Sequence, residues 1–246
     1  MHVFKKLLLL MVLVTVAAAQ SPKSPLSDTR LSVNTLVRED IFAGLLEDNM
    51  ERFTQGEKNI ALLLEQRPGE KATLIAWSAL THLYRAVRAD QANNKEEFQQ
   101  HFQKSLDLFA EAKKLGPNNG GVHAITGGSY VVLADRLPKQ YRAAAWSQAY
   151  DNYKELWKVQ AAAVEQLPLH FRGELLAGLA QSAQRTGHAE ETAQFLDKIL
   201  AALPNTPYES VAKQWKAKPD AAANSAITCL SCHNPGRLSA RLDALK

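Results

Sequence analysis

From about Leu36 to Trp215 the apolar positions recur at three- and four-residue steps, so the chain predicts helix after helix. No run of β-branched residues alternates with polar ones, as a half-buried strand would require. The expected fold class is all-α. Helical runs end at "LLEQRPGE", "AKKLGPNN", "VEQLPLHF" and "LAALPNTP", which places Pro68, Pro117, Pro168 and Pro204 at separations of 49, 51 and 36 residues. A proline just past a helix end cannot continue the i to i−4 ladder, so each one stops a helix. Every interval has room for two helices. Interior breakers near Asn49, at Asn93 and Asn94, at Pro138 and at Gly187 supply the turns between them.

The last unit, "HFRGELLAGLAQSAQRTGHAEETAQFLDKILAALPNTP", joins a helix of small residues through Gly187 to a second helix with Ala193, Leu196 and Leu200 on one face, and closes at Pro204. In this it resembles a tetratricopeptide repeat, whose period is about 34 residues. The earlier units are longer and match it in outline. The resemblance implies a solenoid of about four αα-hairpins over residues 35–217, each burying its apolar stripe against its neighbours. It also implies a groove that takes a peptide or another protein. A compact irregular helical bundle is the alternative architecture. The repeats contain no nucleophile elbow, phosphate loop, paired-histidine helix or acidic metal cluster, so no catalytic residue is assigned and an enzyme is not expected.

The ends of the chain read differently. "MHVFKKLLLLMVLVTVAAAQS" has two lysines, an apolar run from Leu7 to Val16, then Ala17, Ala18 and Ala19, the layout of a cleaved secretory signal over residues 1–19. An uncleaved N-terminal anchor is the other reading of the same stretch. No later segment approaches eighteen uninterrupted apolar residues, so no stable membrane span is expected after cleavage, and the mature chain is expected to be periplasmic or secreted. Residues 20–34, with "SPKSPLSDTR", read as a flexible leader. Loss of Lys5 and Lys6 takes the 29 basic residues to 27 against 25 acidic, so the basic balance is no argument for nucleic acid. From Asn205 onward Lys213, Lys216, Lys218, Arg237, Arg241 and Lys246 outnumber Glu209, Asp220 and Asp243, which points to an acidic partner or anionic group near the tail, or to a few solvated lysines.

Residues 218–246 read as a mostly irregular tail, and both cysteines of the chain lie in it, within "CLSCH". C-x-x-C-H, here Cys229, Cys232 and His233, is the attachment sequence of c-type haem. Two thiols at this spacing add across the two vinyl groups of one porphyrin, each S–H crossing one C=C bond, and the next histidine comes to lie beneath the iron as proximal ligand. With two cysteines and seven histidines in 246 positions, chance gives this arrangement about once in four thousand. A Cys229–Cys232 disulfide would close a loop too small to constrain the unfolded chain much, and zinc would need a fourth ligand. Both remain as alternatives, in a haem-free scaffold for protein interaction.

The local resemblance is to c-type cytochromes and covers the motif alone. Such domains wrap many tens of residues around the macrocycle, whereas only "NPGRLSARLDALK" follows here, so the helical body would have to cover the group. Leu238, Leu242 and Leu245 fit one short amphipathic helix, and Arg237 and Arg241 are either partners of the haem propionates or ordinary solvated arginines. The expected product is an exported repeat protein with one haem c, for one-electron transfer or haem sensing with a redox partner or complex held through the groove. A peroxidase-like activity would need an open distal face and a base near the iron.

For the second side of the iron, Met50 is the one methionine left after cleavage, and His82, His101, His123, His170 and His188 are the remaining histidines of the mature chain. His123 is the candidate distal ligand, because the glycines of "GGVHAITGGSY" would let a flat ring approach; tight helix packing explains those glycines equally. His101, beside Phe98, Phe102 and Phe109, reads as an edge-of-core histidine, and His188 as a turn residue. Trp146, Tyr150, Tyr153 and Trp157 form an aromatic stripe on one helix, as core or as a platform for a ring.

Overall fold

The computed structural model describes residues 25–228, and no strand occurs among them. The helices are α1 (Val33–Glu47), α2 (Met50–Gln66), α3 (Lys71–Gln91), α4 (Lys95–Leu115), α5 (Gly120–Leu133), α6 (Lys139–Gln160), α7 (Leu169–Arg185), α8 (Ala189–Ala202), α9 (Pro207–Ala217) and the short α10 (Pro219–Ala222). The chain is therefore all-α over the described range.

Local chemistry sets these boundaries. Ser32, Asn49, Asn94, Asn119 and Thr206 each accept a hydrogen bond on the side chain from a backbone N–H in the first turn of the helix that follows. The turns between helices need left-handed backbone at Asp48 (φ 57°), Asn93 (φ 59°), Gly187 (φ 82°) and Asn205 (φ 60°), residue types that take this conformation at least cost. Each of the four predicted prolines stands just beyond a helical segment, after Gln66, Leu115, Gln166 and Ala202.

Consecutive helices pair as α1 with α2, α3 with α4, α5 with α6 and α7 with α8, and α9 closes over α8. The first helices of successive pairs also touch: α1 with α3, α3 with α5, and α5 with α7. A single continuous core runs from Leu26 to Ile227. The aromatic stripe of α6 belongs to this packing. Trp146 and Tyr153 are buried. Half-buried Trp157 meets Phe195 edge-on at 5.5 Å, and Tyr150 stacks on His188 at 4.4 Å.

Residues 25–34 differ from the flexible leader expected of 20–34. Leu26 and Leu31 are buried in the core. The Arg67 guanidinium donates to the carbonyls of Leu31 (2.7 Å), Leu26 (2.6 Å) and Asp28 (2.9 Å), which fixes the segment across the end of α2. Two leucines among prolines and serines show no periodicity, so the pattern gave no sign of this burial.

Candidate functional site

Cys229, Cys232 and His233, with Arg237, Arg241 and the Leu238–Leu242–Leu245 stripe, lie outside the described residues, as does the segment expected to be a signal peptide. The chain's approach to the cysteines is described. After α10 the backbone folds back onto α7, where buried Gln181 accepts three hydrogen bonds on one Oε1: from Ile227 N (2.9 Å), Thr228 N (3.2 Å) and Thr228 Oγ1 (3.0 Å). Arg185, one turn on, donates to the Ala222 and Ser225 carbonyls and lies over the Trp146 ring at 5.4 Å. Burial pushes the pKa of this guanidinium down from its ordinary value, with Asp135 acting the other way. Ile227 and Thr228 are buried, so the last residue before Cys229 is anchored to the body.

That anchor stands at the edge of a groove. One cavity of about 600 Å³ is walled by Val131 and Val132 of α5, Gln181 and Arg185 of α7, and residues 223–226 and 228. It adjoins at Val132 a more apolar cavity of about 350 Å³. The second cavity is lined by α1, α3, α5 and α7, the first helices of the four pairs, with part of α6. Its volume is in the range of small-molecule sites. On α5 the lining includes the small residues Gly120, Gly121, Ala124 and Gly128, with Ile125, Ser129 and Val132 beside them; Phe42, Trp77 and Phe171 supply aromatic walls. Trp77 is held by its Nε1–H donating to Asn34 Oδ1 at 2.7 Å, whereas Phe171 is 56% exposed at the lip. Arg38 and His170 meet in the groove, Nη1 to Nε2 at 3.3 Å.

His123 faces away from this space. It is 1% exposed, its Nε2–H donates to the Pro117 carbonyl at 2.8 Å, and Nδ1 lies 3.2 Å from Asn152 Oδ1. Nε2 is thus held by the turn between α4 and α5, and Nδ1 lies against α6. His82 and His101 pair with each other, Nδ1 to Nδ1 at 2.8 Å, across α3 and α4. Burial lowers the pKa of each; for His82 the neighbouring His101 adds to it, and for His101 the nearby Arg85 does. His188 occupies the position before α8 without a capping hydrogen bond from its side chain, its ring stacked on Tyr150. Among the described residues no group of three or more His, Cys, Asp or Glu side chains is placed to hold a metal ion, and no helix is long and apolar enough to cross a membrane.

Sequence reasoning named His170 without assigning it a role and passed over Arg38, Trp77 and Gln181. The groove residues are 132 positions apart in the case of Arg38 and His170, and no short-range pattern links them. Compared with known protein families, curated proteins and solved structures, the chain matches none.

Proposed function

We propose that this chain is an exported helical-repeat protein carrying one covalently attached c-type haem, which serves one-electron transfer or haem sensing within a larger assembly. The observation that carries the proposal is the Cys229–Cys232–His233 sequence, which holds both cysteines of the chain and begins one residue beyond the Thr228 anchor on Gln181. The apolar cavity that adjoins the one at this anchor has chemistry that suits a porphyrin: an apolar interior and a stretch of small residues on α5. A Cβ added at Gly128 would meet nothing nearer than Tyr153 Oη at 3.8 Å, so a flat ring can come close to α5. A cation, Arg38 of α1, and an imidazole, His170 of α7, line the same cavity.

We read the four helix pairs as a tetratricopeptide-like array, in which the first helix of each pair faces the groove. In this reading Cys229 and Cys232 hold the haem covalently and His233 ligates the iron, which supplies a reversible single-electron couple tuned by its ligands and surroundings. The body's residues exclude water from one face, and exposed Leu169 and Phe171 at the lip offer a partner protein an apolar contact. No group in the groove is assigned as a substrate acid or base.

The test is expression with residues 1–19 in a host competent for cytochrome c maturation, followed by a pyridine haemochrome spectrum after acid-acetone extraction. Colour that resists extraction and disappears in Cys229→Ala/Cys232→Ala is the expected result. A colourless full-length protein would leave a haem-free interaction scaffold with a dithiol, disulfide or minor metal site in its tail.

A further inference from the structure

We propose that the trough between α4 and α6, floored by α5, binds a free fatty carboxylate of about ten to twelve carbons, whose head meets Lys113, Thr126 and Tyr130. This site shares no lining residue with the groove of the first helices and does not depend on the haem reading.

Two buried hydroxyls mark the place. Thr126 and Tyr130 stand one turn apart on α5, 5% and 3% exposed, and both line a cavity of about 520 Å³. Ser129 between them returns its hydroxyl to the Ile125 carbonyl at 2.6 Å, a bond that satisfies a hydroxyl within its own helix. Thr126 and Tyr130 make no hydrogen bond among the described residues. The sealed side-chain atoms without a partner there are Ser105 Oγ and Arg172 Nε, so these two hydroxyls open instead on the cavity they line. Buried hydroxyls are nearly always paired, and two on one cavity suit a ligand with acceptor oxygens. Burial also pushes the Tyr130 pKa up, which keeps its O–H a neutral donor.

Charge and length narrow the class. Lys113 is the charged residue of the lining and is exposed at its rim. The chain reverses between α4 and α5 through residues 116–119, and Phe109 meets Tyr130 at 5.3 Å, so the next turn of each helix brings Lys113 level with Thr126. The other end is aromatic, with Phe102 and Tyr141 at 4.7 Å. Phe102 to Lys113 on α4, and Tyr141 to Asn152 on α6, are each eleven residues, about 16 Å. An extended alkyl chain advances about 1.3 Å per carbon, so about ten to twelve carbons with their head group occupy that length. A cation and two donors at one end of an apolar trough complement an anion on an apolar chain.

The experiment is isothermal titration of the full-length protein with sodium dodecanoate below its micelle concentration. Saturable one-to-one binding is expected. Butanoate, too short to reach Phe102 and Tyr141, should bind at least about a hundredfold more weakly. Dodecyltrimethylammonium, with the same chain and the opposite charge, should bind at least about tenfold more weakly. Thr126→Val/Tyr130→Phe should raise the dodecanoate Kd about tenfold and leave the Tm of the unliganded protein unchanged or higher, because it removes unpaired hydroxyls and keeps their shape. Lys113→Gln, at an exposed position, should raise the Kd about threefold with the core untouched. Absence of saturable binding, equal affinity for the two charged amphiphiles, or a Kd unchanged in Thr126→Val/Tyr130→Phe overturns the proposal.

Discussion

Tyr153 shows at single-residue scale how three helices are brought together. Its ring enters the gap left by Gly178 on α7 and also lies against Gly127 on α5, where an added Cβ would come within 2.9 Å of the ring. A Cβ at Gly178 would overlap the ring well inside van der Waals contact. Gly178→Ala should therefore cost about 1–3 kcal/mol as an overpacked core does, and lower Tm by several degrees in a thermal melt. An unchanged Tm would mean that α6 and α7 slide apart freely. The stripe that holds Tyr153 was legible from its spacing, but its role was open, since the glycines that receive the ring are on other helices. A second residue-scale effect is the pH response of the His82–His101 pair. Their pKa values are lowered in the folded protein, against Arg85 of α3 and Lys104 of α4, with Glu57 of α2 and Glu97 of α4 acting in the opposite direction. Unfolded histidine titrates near 6.5, so below about pH 6.5 the unfolded chain binds protons that the folded pair refuses. Stability should be full above that pH and fall as the pH drops, and His82→Gln/His101→Gln should show a flatter dependence in urea titrations between about pH 7 and pH 5. Equal slopes in variant and wild type would refute this.

At the scale of elements, the helices were legible because breakers and caps are local signals. Asn49, Asn93, Gly187 and the four prolines act within a few residues of themselves, and the structure has a helix end or turn at each. What joins elements distant in sequence was not legible. Arg67 fastens residues 26–31 through three carbonyls, and Arg185 with Gln181 fastens residues 222–228. Both anchors are long polar side chains reaching over to backbone, a pairing with no periodicity. Arg67→Ala leaves those carbonyls without their charged donor and should destabilise the fold by about 1–3 kcal/mol. Faster amide exchange at Leu31 and in the first turn of α1, with the α7–α8 pair unaffected, would locate the effect; exchange unchanged at residues 26–31 would show that burial of Leu26 and Leu31 alone holds the segment. Gln181 has the more direct bearing on the proposed cofactor, because its single oxygen sets the point from which the cysteines depart.

At the scale of the whole molecule, residues 223–226 and 228 wall one cavity, which adjoins at Val132 the more apolar groove of the helix pairs. The first helices of all four pairs line it, so a group seated there bridges α1, α3, α5 and α7 at once. Binding that favours the folded chain over the unfolded one raises stability, even when the group is tethered, provided it makes contacts in the fold that the unfolded chain lacks. Haem loading should then raise the Tm of the full-length protein above that of Cys229→Ala/Cys232→Ala, and slow amide exchange along the groove faces of α5 and α7 in particular. The variant pair separates two arrangements that an optical spectrum of the attached haem leaves open. A ring carried on a tail that does not enter the groove gives full colour and no change in Tm. A ring seated against Gly120, Ala124 and Gly128 gives colour and stabilisation together. If the first pattern is found, the groove is left for some other occupant. If the second is found, Gly128→Phe, which fills the wall while leaving Cys229, Cys232 and His233 untouched, should retain the covalent haem and abolish the gain in Tm.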